Sequence, residues 1–209
     1  MTTEPQDGPP PLLESLGGPL GIAESVIPSA AFVVAYTVSG QETRTAVVVA
    51  VALGVVFGVA RLARGQTPQF ALAGLAGLGL SAYVVSRTGR AEDFFVPGLL
   101  ANAGYALAYA VSIAVRWPLL GVLLNAVANR GMEWRKDPEQ VRAYTRASWV
   151  WVGLFSLRLA VQLPLYLAGA VVALGVARVA MGIPLFAVGI WLSWLLLRRT
   201  PALGLHRLR

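Results

Sequence analysis

The 209-residue chain is 56% hydrophobic and only 13% charged, with a net charge of +7 and a mean hydropathy of +0.66. Soluble domains carry roughly a quarter charged residues, so this composition excludes a soluble globular protein and indicates a polytopic membrane protein. The cations lie at the ends of apolar runs, so we expect the lipid bilayer, and no nucleic acid, as a partner. The absence of cysteine excludes disulfides, thiolate nucleophiles and cysteine metal sites.

Three regions follow from the polarity of the sequence. Residues 1–19 are proline-rich and polar and are predicted to be a disordered cytoplasmic tail. Residues 20–198 are predicted to be a single transmembrane domain, and residues 199–209 a basic cytoplasmic tail. At roughly 20 residues per span, the domain has room for about six spans. We therefore predict an all-α fold, a bundle of about six transmembrane helices.

The first half contains three predicted spans, Gly21–Ser39, Thr45–Ala60 and Pro68–Ser86. Glycines recur in the second and third of these spans at spacings that let two helix backbones approach closely in lipid. Helix-packing roles are predicted for Gly54, Gly58, Gly74 and Gly77.

The second half begins with a fourth span, Phe94–Val115. The apolar run Leu119–Ala128 is too short to cross a bilayer, so we expect a short interfacial or re-entrant helix before the fifth span. It belongs to a predicted cytoplasmic segment, residues 116–146. Near the end of that segment, Asp137 as a cap and Pro138 in the first turn predict the start of a helix that continues into the fifth span.

The longest apolar run, Trp149–Leu197, is predicted to contain the last two spans. The fifth is expected to extend to about Gly175, and the sixth to cover Met181–Leu197. Arg158 lies well inside this run, where an unpaired cation costs about 2.5–3.5 kcal/mol on insertion scales. Arg158 therefore requires a partner or a polar cavity.

The distribution of basic residues predicts the orientation. If the N-terminus is cytoplasmic, most basic residues fall on the cytoplasmic side, and the other side holds only Arg44, Arg87, Arg90 and Arg178. Because cytoplasmic loops of membrane proteins carry an excess of Lys and Arg, both termini are expected in the cytoplasm.

A few polar side chains at membrane depth form the candidate polar interior: Arg158, Glu24, Asp93, Asn102 and Gln162. Glu24 and Asp93 could instead be first-turn acids that are stabilised by the helix dipole. Arg158 could tie the bundle through a carboxylate or through carbonyls that a helix break has freed, or it could line a path for a solute. Asn102 and Gln162 could be hydrogen-bonding links between helices.

Catalytic chemistry has little support in the sequence. The only histidine, His206, lies in the C-terminal tail, and no nucleotide-binding or hydrolytic motif is present. We therefore expect no cofactor, no metal site and no enzymatic activity.

A weak internal repeat relates the two halves. Glu24 and Pro28 recur at the same spacing as Asp93 and Pro97, and the sequence near Arg61 is similar to that near Arg158. Two three-span halves would have opposite orientations, an arrangement from which many secondary transporters are built.

Four short motifs lie along the chain, Gly17–Pro28, Glu92–Tyr105, Arg116–Leu119 and Leu163–Tyr166, and the resemblance that they carry extends over nearly the whole chain beyond the tail. On these motifs the chain resembles an uncharacterised actinobacterial membrane family, domain of unknown function 3159. The resemblance implies a multi-pass plasma-membrane protein and supplies no activity. The chain is more distantly similar to the intracellular septation protein A group of envelope proteins.

Two functions remain open from the sequence. The first is transport of a small solute or ion, or a role accessory to it, with Arg158 and a carboxylate, Glu24 first, in the polar interior. The alternative is a non-catalytic envelope or division scaffold that binds another membrane protein, or a second copy of itself, through its glycine-lined faces and Arg130–Arg146. A solvent-connected cavity that reaches Arg158 would favour transport.

Overall fold

The structure is a computed structural model. It describes the backbone of residues 18–64, 68–128 and 131–198, and the side chains of residues 26–64, 72–128 and 131–198. The predicted tails lie outside the described residues, apart from the first helical residues of the N-terminal one. Contacts along the chain define two compact units, Met1–Gly89 and Arg90–Arg209.

The first unit contains three helices: α1 (Gly18–Val38), α2 (Thr43–Ala63) and α3 (Pro68–Thr88). Each has 21 residues, which at 1.5 Å per residue is about the 30 Å thickness of a bilayer core. The chain turns between α1 and α2 at Gly40 and Gln41, which both have left-handed backbones with φ of +71° and +72°. Helix α2 packs against both of its neighbours.

The contact between α2 and α3 is formed at two glycines. Gly54 and Gly58 are buried, and a Cβ added to either would overlap the side chain of Leu78 or Leu75 of α3. Gly74 and Gly77 of α3 differ, since no described atom lies within 4 Å of a Cβ added there. The glycines of α2 therefore lie at a helix contact, whereas those of α3 face away from it.

The second unit contains one long helix surrounded by shorter ones. In chain order the elements are a 3-10 turn (Ala91–Phe95), α4 (Val96–Ala114), α5 (Leu119–Val127), a second 3-10 turn (Met132–Lys136), α6 (Pro138–Leu167), α7 (Val171–Ala180) and α8 (Ile183–Arg198). The 30-residue α6 packs against α4, α5, α7 and α8, and it therefore organises this unit.

The predicted start of α6 is confirmed. Asp137 is the N-cap and accepts a hydrogen bond of 2.8 Å from the Glu139 backbone N–H, while the Gln140 side chain donates to the same carboxylate at 3.1 Å. These bonds, the one from Glu139 first, lower the pKa of the Asp137 carboxyl because they stabilise its charged form. Pro138 occupies the first turn, where its missing N–H costs nothing.

The predicted end of this helix is wrong. We expected the fifth span to reach about Gly175, but α6 ends at Leu167 and α7 begins at Val171. Gly169 between them has φ of +65°, a left-handed conformation that ends a helix even where the sequence remains apolar. A second break separates α7 from α8 at Met181 and Gly182.

Aromatic stacking fixes the register of α4 against α6, and these two helices run in opposite directions. The rings of Tyr109 and Trp151 stack with centroids 6.1 Å apart, and those of Tyr105 and Phe155 lie 5.3 Å apart. The Trp151 indole N–H donates to Ser193 Oγ of α8 at 3.0 Å. Tyr109, Trp151 and Phe155 lie in the apolar core of the unit.

Every described element is helical, in agreement with the predicted class. Within the described residues, four stretches are long and apolar enough to cross a membrane: Thr43–Ala63, Ala91–Ala114, Pro138–Leu167 and Val171–Arg198. Only 17–28% of their most apolar windows is buried, so most of their apolar surface faces outward, as lipid contact requires. The nine-residue α5 is too short to cross. The count of about six spans stays a prediction.

Candidate functional site

A cavity of about 720 Å³ lies in the second unit between α4 and α6. One face of α4 forms one wall, with Gly98, Ala101, Asn102, Tyr105 and Tyr109. One face of α6 forms the opposite wall, with Trp151, Phe155, Arg158 and Gln162. The lining is completed by Leu119, Leu120 and Leu123 of α5, Arg178 of α7 and Phe186 of α8. At 1.5 Å per residue, each wall is roughly 16 Å long.

The cavity is polar at one end and aromatic at the other. Continuing the register of the Tyr109–Trp151 and Tyr105–Phe155 pairs places Asn102 level with Arg158. The same register places Gly98 level with Gln162. The polar end thus contains Asn102, Gln162 and the arginines, and the aromatic end is closed by the leucines of α5.

Arg158 is held at the break between α7 and α8. Its Nη2 donates to the backbone carbonyls of Met181 and Gly182, the latter at 2.7 Å. The Met181 carbonyl lies at the C-terminal end of α7, where carbonyls lack intrahelical partners, whereas the Gly182 carbonyl also accepts a hydrogen bond of 3.2 Å from the Phe186 backbone N–H. Its Nε is buried and has no hydrogen-bond partner among the described residues. Arg158 thus makes the bonds of an internal tie and also lines the cavity, so the two alternatives for this residue are not exclusive.

Arg178 is the second cation of the cavity. It lies in the last turn of α7, with its guanidinium against Gly98 and 5.6 Å from the centroid of the Phe95 ring. In the described part of the chain it makes no hydrogen bond, and no carboxylate lies within 4.0 Å of it or of Arg158. Arg158 and Arg178 both line the same cavity. The polar end therefore carries two positive charges that these residues do not compensate.

The two predicted amides lie beside these charges. Gln162 is buried, with 4% of its surface exposed, and Asn102 is half-buried. Neither makes a side-chain hydrogen bond to the residues that the structure describes. The amide atoms of Gln162 are not fully enclosed, so they are available to hydrogen-bond a ligand in the cavity. The predicted Arg158, Asn102 and Gln162 are thus brought together in one cavity.

Of the two predicted carboxylates, Asp93 is not part of this cavity lining. Asp93 is buried in the 3-10 turn before α4, where it accepts a hydrogen bond of 2.7 Å from the Tyr166 hydroxyl. Its neighbour Glu92 pairs with Arg90 at 2.8 Å, and this hydrogen bond raises the pKa of Arg90. Glu24 belongs to α1, but its side chain lies outside the described residues, so its pairing with Arg158 stays a prediction.

The sequence reasoning missed Arg178, which it assigned to a loop on the outer side. The available signal was that Arg178 interrupts the same apolar run as Arg158. Its role depends on the break at Gly169, which turns α7 back so that Arg178 contacts Gly98 of α4.

The helical architecture and the exposed apolar spans define a polytopic helical membrane protein. The chain belongs to the family described as "Protein of unknown function (DUF3159)", whose model matches residues 16–203. No curated protein and no solved structure matches the chain. The actinobacterial origin and the similarity to septation protein A stay predictions.

Proposed function

We propose that the protein binds a small anion in the cavity of its second unit and moves it across the plasma membrane, or serves a system that does so. The observation that carries the proposal is the pair of arginines, Arg158 and Arg178, in an otherwise largely apolar cavity that has no carboxylate among its described lining residues. The proposal assigns no catalytic residue, and we expect the protein not to be an enzyme.

The energetics favour an anionic ligand. Each intramembrane arginine costs about 2.5–3.5 kcal/mol on insertion scales. An anion about 4 Å from one guanidinium gains about 4 kcal/mol at an effective dielectric constant of about 20. One bound anion therefore offsets much of the cost of both arginines.

The interrupted helix supports a role in transport. The apolar stretch Val171–Arg198 is divided into α7 and α8, and the break between them contacts Arg158 in the cavity. Many secondary transporters bind their substrates at such discontinuous helices. In the proposed arrangement of two inverted halves, the first half would end at Gly89 and the second would begin at Arg90, which are the bounds of the two units in the sequence.

Anion flux into liposomes tests the proposal. We expect the purified protein to conduct small anions, and Arg178→Gln to reduce that flux about tenfold or more because it removes a charge from the cavity. Arg146→Gln is the matched control, since Arg146 is exposed on α6, lies outside the cavity and undergoes the same change of charge. Equal flux for the wild type and Arg178→Gln, or no flux above that of empty liposomes, would refute the proposal.

A scaffold role is the second candidate, favoured by the open glycine face of α3. A Cβ added to Gly74 or Gly77 meets no described atom within 4 Å, and this face could receive another membrane helix or a second copy of the chain. Crosslinking in membranes tests it. Gly77→Leu should abolish crosslinks to a partner, whereas Gly104→Leu on the open side of α4 should not. Unchanged crosslinks in Gly77→Leu would contradict this candidate.

A further inference from the structure

We infer that the ligand of the cavity is an amphipathic organic anion, bound with its anionic head at Arg158 and Arg178 and its apolar body along the aromatic end towards α5. The inference rests on the proposed function for this site. It adds the chemical class of the ligand and the direction in which the ligand lies.

The head position follows from the donors at the polar end. The Arg178 guanidinium makes no hydrogen bond within the described residues, and the Nε of Arg158 is buried without a partner. Guanidinium groups bind carboxylates and phosphates through paired N–H donors, which gives this end a defined preference. The amide of Gln162 lies beside them and can donate one further bond. Among the described lining residues, no carboxylate competes with the ligand for these donors.

Gly98 keeps the polar end open. A Cβ at this position would lie 3.0 Å from Cζ of Arg178 and still closer to its Nη1. Any side chain here would therefore push the guanidinium out of its present position. Gly104 of the same helix has no described atom within 4 Å of an added Cβ, and it does not line the cavity. The two glycines thus provide a matched pair of variants.

The opposite end suits an apolar body. It is lined by the rings of Tyr105, Tyr109, Trp151 and Phe155 and by the leucines of α5. The indole N–H of Trp151 already donates to Ser193, so the ring offers only its apolar surface to a ligand. Among the described lining residues, the aromatic end contains no charged group that could bind the anionic head of the ligand.

The dimensions argue against an inorganic anion as the preferred ligand. The cavity volume of about 720 Å³ lies within the range of roughly 300–1,000 Å³ that is usual for small-molecule sites. A lone phosphate or chloride at the arginines would leave the aromatic end without a binding partner. A ligand with an apolar chain fills both ends, and each buried CH₂ should tighten its binding about fourfold.

Binding of straight-chain carboxylates to the purified protein in nanodiscs tests the class of ligand. From butanoate through hexanoate to octanoate, we expect affinity to rise about fourfold per CH₂ after subtraction of binding to empty nanodiscs. Octanol and octylamine should bind at least about tenfold more weakly than octanoate, because they cannot accept paired hydrogen bonds from guanidinium groups. Arg178→Gln and Gly98→Ala should each weaken octanoate binding about tenfold, and Gly104→Ala should leave it unchanged.

Quenching by bromine tests the direction. An octanoate brominated on its terminal carbon should quench the fluorescence of Trp151, taken as the difference between the wild type and Trp151→Phe. The isomer brominated next to the carboxylate should quench it several-fold less. The inference is overturned if the two isomers rank in the opposite order, if affinity does not depend on chain length, or if octylamine binds as well as octanoate. Gly98→Ala keeps every charge, so it still tests the head position if Arg178→Gln does not fold.

These results separate the inference from the proposed function. Flux of phosphate or chloride that depends on Arg178, together with no effect of chain length, would overturn the amphipathic ligand and leave anion transport standing. Directed binding of octanoate with no flux of any anion would support the ligand and contradict transport.

Discussion

Replacing Arg158 and Arg178 separately by leucine is one chemical change at two sites, and we expect it to alter stability in opposite directions. For Arg158→Leu, the carbonyls of Met181 and Gly182 lose a charged donor, at about 1.5–3 kcal/mol for each bond. Removal of the intramembrane cation stabilises the protein by about 2.5–3.5 kcal/mol, which is the cost of inserting the arginine. The net effect is a destabilisation of up to about 3 kcal/mol.

The balance at Arg178 differs because it makes no such bonds within the described residues. Loss of the cation stabilises Arg178→Leu by about 2.5–3.5 kcal/mol, as it does Arg158→Leu. It loses the interaction with the Phe95 ring, which is worth about 0.5–2 kcal/mol. We therefore expect Arg178→Leu to be more stable than the wild type by about 1–3 kcal/mol, although it should not bind anions.

Reversible unfolding of both variants in bicelles, followed by circular dichroism, measures these differences. The wild type must be free of bound anion, since a ligand that binds only the folded state would add its own stabilisation. Arg146→Leu provides the control for loss of a cation at an exposed position of α6. The reasoning is refuted if Arg158→Leu proves more stable than Arg178→Leu, because the carbonyl bonds would then contribute nothing.

Three further predictions concern packing, pH and topology. Gly121→Val should destabilise the second unit by about 1–3 kcal/mol, because a Cβ at Gly121 already lies 2.9 Å from two aromatic side chains. Thermal unfolding measures this loss, and Gly153→Ala, whose surroundings are open, should not show it. The lowered pKa of Asp137 contributes stability that is present above the ordinary aspartate pKa and lost as the pH falls through the lower folded value, so Asp137→Asn should flatten the loss of stability measured during acid titration. In intact cells a membrane-impermeant maleimide should label Arg87→Cys and spare Lys136→Cys in this cysteine-free chain; the reverse pattern would contradict cytoplasmic termini.

The features that the sequence predicted are those set by local chemistry or by composition. Asp137 and Pro138 marked the start of α6 because a cap acts within one turn. The need of Arg158 for a polar environment followed from its position in an apolar run. The end of α6 was missed because Gly169 sits among apolar residues that continue into α7, and only its left-handed backbone ends the helix.

The cavity itself could not be predicted from local patterns. It depends on the register between α4 and α6, which distant aromatic pairs such as Tyr109 and Trp151 determine. Arg178 reaches it only because α7 folds back beside Gly98, a contact between residues far apart in the sequence. Helical periodicity indicates which residues of one helix share a face but not which partner that face meets.

The bonds from Arg158 to Met181 and Gly182 link occupancy of the cavity to the geometry of a helix joint. A ligand that draws this guanidinium towards itself removes a charged donor from both carbonyls and weakens the joint between α7 and α8, although the Gly182 carbonyl keeps its bond from the Phe186 N–H. By reciprocity, any event that bends the joint must change affinity for the ligand by the same factor. Hydrogen exchange near Ile183 would then quicken when the cavity is filled, and unchanged exchange would exclude the coupling. The Arg158 side chain would in this way both bind the anionic ligand and hold α7 and α8 in their present arrangement.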